Sequence, residues 1–169
     1  MQQHRALILR SNRFLGSSLV NEGLISSADL NAANDTFMAA IQSHESLKTA
    51  SILSILIDEL KVLDEAKLLD HLFEQHSLGL IDLNYMELSS LPIPDLDPSL
   101  CRACLSIPFD KVEQTYMVAS CYYMSTPVVK HWETLLDGNI IWYATSIASM
   151  HQSLQRLENI LTAKEVEQE

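Results

Sequence analysis

The chain has 169 residues, which is enough for one domain or for two small subdomains that share a core. Apolar residues make up 47% of it, a share that excludes wholesale disorder. Acidic residues outnumber basic ones by 22 to 11, and the net charge of −11 argues against binding to nucleic acid or to an anionic membrane, since both need clustered cations.

The first half of the chain is predicted to be a bundle of helices. Leu15 and Leu19 lie one turn apart in the first helix, and Gly23 can end that helix in the left-handed conformation. Ser26 or Ser27 then caps a second helix over residues 28–42. The apolar stripe of this second helix is formed by Leu30, Ala33, Phe37 and Ile41.

Two more helices complete the predicted bundle. After a polar connection at residues 42–46, a third helix is expected over residues 47–61. Asp64 is typical of a helix cap and predicts a fourth helix that ends at Gly79. The buried side of the fourth helix is expected to carry Leu68, Leu69, Leu72 and Phe73.

The second half changes character and is predicted to mix helices with strands. A short extended stretch at residues 80–83 and a proline-rich passage lead into a unit of order αββαβα. Its expected elements are a helix at 99–105, strands at 105–109 and 115–120 around a turn at 110–114, a helix at 126–136, a strand at 140–144 and a helix at 146–161. The predicted fold class is therefore α+β, with a helical subdomain (1–79), a small α/β subdomain (80–163) and a disordered tail (164–169).

The cysteines and histidines do not form a recognisable reactive motif. Cys101 and Cys104 have the spacing of a zinc or redox pair, but zinc needs four ligands and the chain has no second cysteine pair. We therefore expect Cys101 and Cys104 to be buried, reduced thiols. His71 and His76 are five residues apart and are not expected to share a helix face. We predict no metal site, no catalytic residue and no enzymatic activity.

Two adjacent tyrosines suggest a point of contact with a partner. Side chains alternate between the two faces of a strand, so Tyr122 and Tyr123 cannot both face inward. One of them is therefore expected to be exposed near a strand end. Exposed tyrosines often anchor protein interfaces, and Tyr122 and Tyr123 are our candidate partner-binding residues.

One motif resembles a known family. The segment Leu15-Gly-Ser-Ser-Leu-Val-Asn-Glu-Gly-Leu-Ile25, followed by Leu30, is similar to the signature Leu-Gly-x-x-Leu-Val-x-x-Gly-x-Ile-x4-Leu. This signature belongs to the N-terminal domain of type II secretion and type IV pilus assembly ATPases. The order of the downstream elements is similar as well, so the resemblance covers most of residues 15–161.

The resemblance implies two possible uses for the domain. Some members of the family bind cyclic di-GMP through two tandem copies of the motif, whereas others only dock on a cytoplasmic protein of the membrane assembly. If the nucleotide-binding use is retained, glycines allow close approach of the ligand and an arginine pairs with guanine or phosphate. The ligand-binding residues that the resemblance implies are Arg13, Leu15, Gly16, Leu19, Val20 and Gly23.

The chain departs from the nucleotide-binding pattern in three places. Phe14 stands where the family has its arginine, and Arg13 comes one residue early. The second copy of the motif is best aligned over residues 56–63 and carries one extra residue. Leu53, just before this segment, stands where glycine is expected. The downstream strand usually ends in an Asp-Pro pair, whereas here the sequence is Ser120-Cys-Tyr-Tyr-Met124. No Gly-x4-Gly-Lys-Ser/Thr loop is present, so the resemblance implies a free-standing version of the domain.

The expected function is that of a non-catalytic, cytoplasmic interaction module without a cofactor. Its partner would be a protein of a pilus, secretion or motility apparatus, or a regulator of one, and its acidity favours a basic partner surface. The alternative is a cyclic di-GMP receptor that uses the motif at residues 15–25, and an enzyme is a distant third. Neither nucleic-acid binding nor membrane insertion is expected, because the chain lacks a basic patch and a long apolar run.

Overall fold

The structure, a computed structural model, describes residues 4–42, 50–94 and 96–167, with side chains up to Lys164. The first half is helical, as predicted. It consists of α1 (Arg5–Asn21), α2 (Ser27–Gln42), the short α3 (Ile52–Ser54), which continues directly into a π-helical turn (Ile55–Glu59), and α4 (Glu65–His76).

Side-chain caps set the starts of these helices. Ser26 Oγ accepts a hydrogen bond from the Asp29 N–H at 3.0 Å, and the Asp29 carboxylate accepts one from the Ser26 N–H at 3.1 Å. This reciprocal pair is a capping box and fixes the start of α2. The Asp64 carboxylate accepts from the N–H of Ala66 and of Lys67 at the start of α4. Both predicted caps are therefore confirmed.

Three expectations for the bundle were wrong. The third helix begins at Ile52, capped by Ser51, and not earlier in the described residues; most of the predicted connection at 42–46 and the first residues of that helix lie outside them. The fourth helix ends because Ser77 takes the left-handed conformation (φ 56°), so Gly79 does not end it. Phe73, expected on the buried side, is 58% exposed.

The second half forms a mixed four-stranded sheet with helices around it. Its elements are β1 (Gly79–Leu80), α5 (Pro98–Cys104), β2 (Ser106–Val112), β3 (Thr115–Ser120), α6 (Thr126–Leu135), β4 (Asn139–Ala144) and α7 (Ile147–Glu167). The strand order is β1-β4-β3-β2; β4 runs parallel to β1 and β3, and β2 runs antiparallel to β3. The α+β class and the αββαβα order are confirmed.

Two boundaries in this half differ from the expectation. β2 continues past an irregularity between Pro108 and Asp110, so the predicted five-residue turn shrinks to a tight hairpin with Glu113 at φ 54°. α7 extends to Glu167, and the Lys164 ammonium donates to the Ser89 carbonyl at 2.9 Å. The predicted tail is thus helical where it begins, and its last two residues lie outside the described ones.

A single apolar core runs through both halves. α1 packs against α2 and α3 on one side and against α5 and α6 on the other. The Ser125 hydroxyl, just before α6, donates to the Ser11 carbonyl in α1 at 2.8 Å. The predicted subdomain boundary after Gly79 falls inside β1. In the described parts of the chain, no helix has the length and apolarity needed to cross a membrane.

Candidate functional site

The first motif ends α1 in the way that its glycine predicts. Gly23 has a φ of 73°, in the left-handed region that glycine adopts without strain. The Leu24 N–H donates to the Leu19 carbonyl at 2.9 Å, and the Gly23 N–H donates to the Val20 carbonyl at 3.0 Å. This pair of bonds is a Schellman motif, which satisfies the last carbonyls of the helix.

The inner face of the motif packs α1 against its neighbours. Leu15 and Leu19 are fully buried, and Gly16 is buried against Leu30 of α2. A Cβ at Gly16 would lie 2.5 Å from Leu30 Cδ1 and 3.4 Å from Ile52 Cδ1. The glycine therefore allows the close approach of these two apolar side chains, and Leu30, the last residue of the signature, covers it.

The outer face of α1 is basic and partly aromatic. Arg10, Arg13 and Phe14 are exposed, with Phe14 at 44%, and the helix carries no Asp or Glu. Within the described ranges, no carboxylate lies within ion-pair distance of Arg10 or Arg13. The other two implied ligand residues are accessible to different degrees, since Val20 is half-buried and Gly23 is exposed. A chain of net charge −11 thus has a local basic face that net charge did not predict.

The extra residue in the second copy of the motif is taken up by the π-helical turn. The Leu60 N–H donates to the Ile55 carbonyl at 2.8 Å, a bond that encloses one residue more than an α-helical bond. Lys61 then takes a left-handed φ of 53°, near the place that the family gives to glycine. Leu53 and Leu56 are fully buried, so this segment also faces the core.

Tyr122 is a core residue and is not accessible to a partner, contrary to the expectation. Its side chain is 1% exposed. Its hydroxyl donates to Asn12 Oδ1 at 2.5 Å and lies 2.7 Å from Ser51 Oγ, while Asn12 Oδ1 also accepts from the Ile52 N–H at 2.9 Å. Burial raises the pKa of the Tyr122 phenol. This network ties α1, the start of α3 and the segment after β3 together.

Tyr123 is the outer member of the tyrosine pair. It is half-buried and lies between two other aromatic rings. Its ring centroid is 5.8 Å from that of His76 and 5.7 Å from that of Trp142. Tyr123 alone therefore remains a candidate contact residue, at the rim of a surface cluster.

That cluster contains three groups that the sequence did not bring together. Glu22 follows the last residue of α1, whereas His71 and His76 lie in the second half of α4. His76 Nε2 is 2.9 Å from Glu22 Oε2 and 3.1 Å from Oε1, and His71 Nε2 also contacts Oε2. Partial burial acts to raise the pKa of the Glu22 carboxyl, but the hydrogen bonds and charges of the two imidazoles lower it overall.

The spacing of His71 and His76 along α4 does not by itself bring the two side chains together. Residues five apart on an α-helix point about 140° away from each other. Here Glu22 reaches between them from another helix, and His76 is the last residue of α4. The two ring centroids are 5.7 Å apart. The spacing of residues within one helix gives no information about a contact with Glu22, which lies 49 residues from His71 in the chain.

The cysteines are buried, as predicted, and chemically quiet. Cys101, Cys104 and Cys121 are free thiols inside the core. Burial raises the pKa of Cys104 to about 12 and raises those of Cys101 and Cys121 as well. Because the thiolate is the reactive form, these residues are not suited to nucleophilic or redox chemistry near neutral pH.

A groove lies away from the motif, between the proline-rich passage and α7. Its volume is about 580 Å³. Leu91, Ile93 and Pro94 line one side, and Leu161 and Lys164 line the other. None of the residues implied by the resemblance borders it.

The comparisons with solved structures agree with the fold. A structure of MshE with cdg matches with a TM-score of 0.51 at 21% identity, over 85% of this chain and 97% of that one. The N-terminal domain of XpsE matches with a TM-score of 0.55 at 11% identity, over 86% of this chain and 94% of that one, and a second crystal form of it gives 0.53. No family model and no curated protein sequence matches the chain.

The chain has the fold of the N-terminal domain of secretion and pilus assembly ATPases. The resemblance drawn from the motif at residues 15–25 is confirmed at this level. The matched chains are covered almost completely, and the likeness extends over most of this chain.

Proposed function

We propose that the chain is a non-catalytic, cytoplasmic interaction module that docks on a protein of a pilus, secretion or motility apparatus, or on a regulator of one. One observation carries the proposal. The motif places Leu15, Gly16 and Leu19 in the core, whereas Arg10, Arg13 and Phe14, which precede the motif, lie on the outer face of α1. The motif therefore contributes to the core, and the exposed residues Arg10, Arg13 and Phe14 are available to bind a partner.

The outer face of α1 is basic, so it suits a partner with an acidic rim and an apolar pocket, in contrast to the basic partner surface expected from the net charge. Arginine and large aromatic residues are the side chains most often found at the centre of protein interfaces. Phe14 offers apolar area, and Arg10 and Arg13, one turn before it and beside it, offer charge. Opposite charges on the two surfaces would speed their encounter and fix their orientation.

Site-specific photo-crosslinking in the cells that make this protein tests the proposal. A benzoyl-phenylalanine replaces Phe14, and a matched control replaces Leu135, which is 50% exposed at the end of α6. We expect a crosslink to a defined protein of a pilus, secretion or motility system from Phe14 and none from Leu135. Identification of the crosslinked protein by mass spectrometry gives the partner.

Charge reversal adds a second, independent readout. Arg13→Glu should abolish the crosslink from Phe14, because the proposed partner surface is acidic, whereas Lys130→Glu on α6 should leave it unchanged. Equal crosslinking from both photoreactive positions, or a crosslink from Phe14 that survives Arg13→Glu, would contradict this docking surface.

A cyclic di-GMP receptor is the second candidate. It is favoured by the likeness to MshE, whose structure contains cdg, and by the exposure of Arg13 and Gly23. Against it, a ligand that contacts Leu15 or Leu19 has to displace their packing in the core. This candidate predicts that Arg13→Ala weakens nucleotide binding measured by titration calorimetry, and that Arg5→Ala on the same helix does not.

A further inference from the structure

The cluster of Glu22, His71 and His76 has the composition of a transition-metal site. Two imidazole nitrogens and one carboxylate oxygen lie within 4.8 Å of one another. Zinc binds such ligands, and sites with two histidines and one glutamate occur among zinc proteins. Calcium and magnesium prefer ligand sets made only of oxygen, so two imidazoles argue against both ions.

The distances between His76 and Glu22 are close to those between two ligands of one zinc ion. Ligands bonded at 2.0–2.1 Å around a tetrahedral ion lie roughly 3.3 Å apart. His76 Nε2 is already 2.9 Å and 3.1 Å from the two oxygens of Glu22, and His71 Nε2 approaches the same carboxylate. Binding of the ion requires the His71 ring and the Glu22 carboxylate to move apart, which rotation of these two side chains allows.

The surroundings support the ligands and leave the site accessible. The Tyr123 ring packs edge-on against His76, and Trp142 backs Tyr123. On the other side, the Schellman turn at Gly23 fixes the backbone at Glu22. The three ligand side chains keep 21–30% of their surface exposed, which gives an ion a path and leaves a fourth position for water.

We propose that Glu22, His71 and His76 bind one zinc ion through three protein ligands, joining the end of α1 to α4. The ion would hold the turn that closes the motif at residues 15–25 against α4. The proposal is independent of the docking surface on α1. The fully protein-based alternative is a clamp in which both imidazoles donate N–H groups to the carboxylate.

Zinc binding by untagged protein, dialysed first against a chelator and then against metal-free buffer, tests the proposal. We expect one zinc per chain by elemental analysis after zinc loading and renewed dialysis, and a higher melting temperature with zinc than without it. Cobalt in place of zinc should give the visible absorption of a four-coordinate site.

Matched variants separate the metal site from the hydrogen-bonded clamp. Glu22→Gln keeps a hydrogen-bond acceptor for the imidazoles but removes the anionic ligand, and His71→Gln and His76→Gln each remove one nitrogen. Each should weaken zinc binding at least tenfold, since even outer partners of a metal ligand contribute about 10–100-fold. Glu74→Gln, exposed on the same helix, and His4→Gln should bind zinc like the parent chain.

Two results would overturn the proposal. One is the absence of retained zinc and of any zinc-dependent rise in melting temperature, which would leave the clamp as the role of the cluster. The other is undiminished zinc binding by Glu22→Gln, His71→Gln and His76→Gln, which would place the ion elsewhere. Melting curves in metal-free buffer show which variants are folded, and any unfolded variant is replaced by the matching asparagine or alanine change.

Discussion

At the scale of single residues, Gly23 and Lys61 hold similar places in the two copies of the motif. Both end a helical segment, and both take the left-handed conformation, with φ of 73° and 53°. Glycine adopts this conformation freely, whereas a residue with a Cβ is strained by roughly 1–2 kcal/mol. The second copy of the motif therefore has the left-handed turn but has lysine in place of glycine at the position that forms it.

Replacing Lys61 with glycine is therefore expected to stabilise the chain. Relief of the strain exceeds the roughly 0.5–1 kcal/mol lost to the flexibility of glycine in the unfolded state, so a net gain of about 0.5–1 kcal/mol is predicted. Lys130→Gly, in the middle of α6, should instead lose about 1 kcal/mol. Urea unfolding of both variants measures the difference, and a destabilised Lys61→Gly would contradict the role assigned to the turn.

Local chemistry at single positions was predictable, and contacts between distant positions were not. Ser26, Asp64 and Gly23 act through bonds to residues two to five places away, which a sequence displays directly. Glu22 meets His71 and His76 only because the fold brings the end of α1 close to the second half of α4. The spacing of the two histidines, taken alone, gives no sign of this contact.

At the scale of elements, the hydroxyl of Tyr122 joins three segments that are far apart in the chain. It reaches Asn12 in α1 and Ser51 at the cap of α3 from the loop that follows β3. Alternation along a strand predicted that one tyrosine of the pair faces inward. It did not predict which one, because β3 ends at Ser120 and the alternation ends with it.

Tyr122→Phe is predicted to destabilise the chain by about 1–3 kcal/mol. The ring still fills its place in the core, but Ser51 Oγ and Asn12 Oδ1 lose a buried hydrogen-bond partner. Tyr123→Phe makes the same chemical change on a half-buried ring and should cost far less. Chemical unfolding of the two variants decides this, and equal losses would show that the network does not contribute.

The π-helical turn shows what an insertion does to an element. An extra residue at 56–63 was visible in the sequence as a misfit to the motif, but its structural form was not. The turn absorbs the residue through one i→i+5 bond and lets Leu56 and Leu63 both stay in the core. A motif with fixed spacing cannot predict that an extra residue forms a π-helical turn.

At the scale of the whole molecule, α1 unites the two halves. It contacts α2 and α3 in the first half and α5 and α6 in the second, and one apolar core spans both. The helical and α/β character of the halves followed from hydrophobic periodicity. The strand order β1-β4-β3-β2 did not, because pairing in the sheet depends on contacts between residues far apart in the chain.

This packing predicts one cooperative unfolding transition. Trp132 and Trp142 both lie in the second half, so tryptophan fluorescence reports on that half, whereas far-ultraviolet circular dichroism is weighted to all helices. The two signals should give the same urea midpoint, because α1 packs into the core of both halves and couples their unfolding. Separate midpoints would show instead that the predicted subdomains unfold independently.

The chain has the fold of the N-terminal domain of secretion and pilus assembly ATPases, and the motif residues Leu15, Gly16 and Leu19 pack into its core. The most direct measurement is the melting temperature with and without saturating cyclic di-GMP, with cyclic di-AMP and GTP as controls. A ligand present at 100 times its dissociation constant adds about 2.7 kcal/mol, which for a chain of this size is a rise of roughly 5–10 °C. We predict no rise with any of the three nucleotides. A rise with cyclic di-GMP alone would contradict the account and make the chain a receptor for that nucleotide.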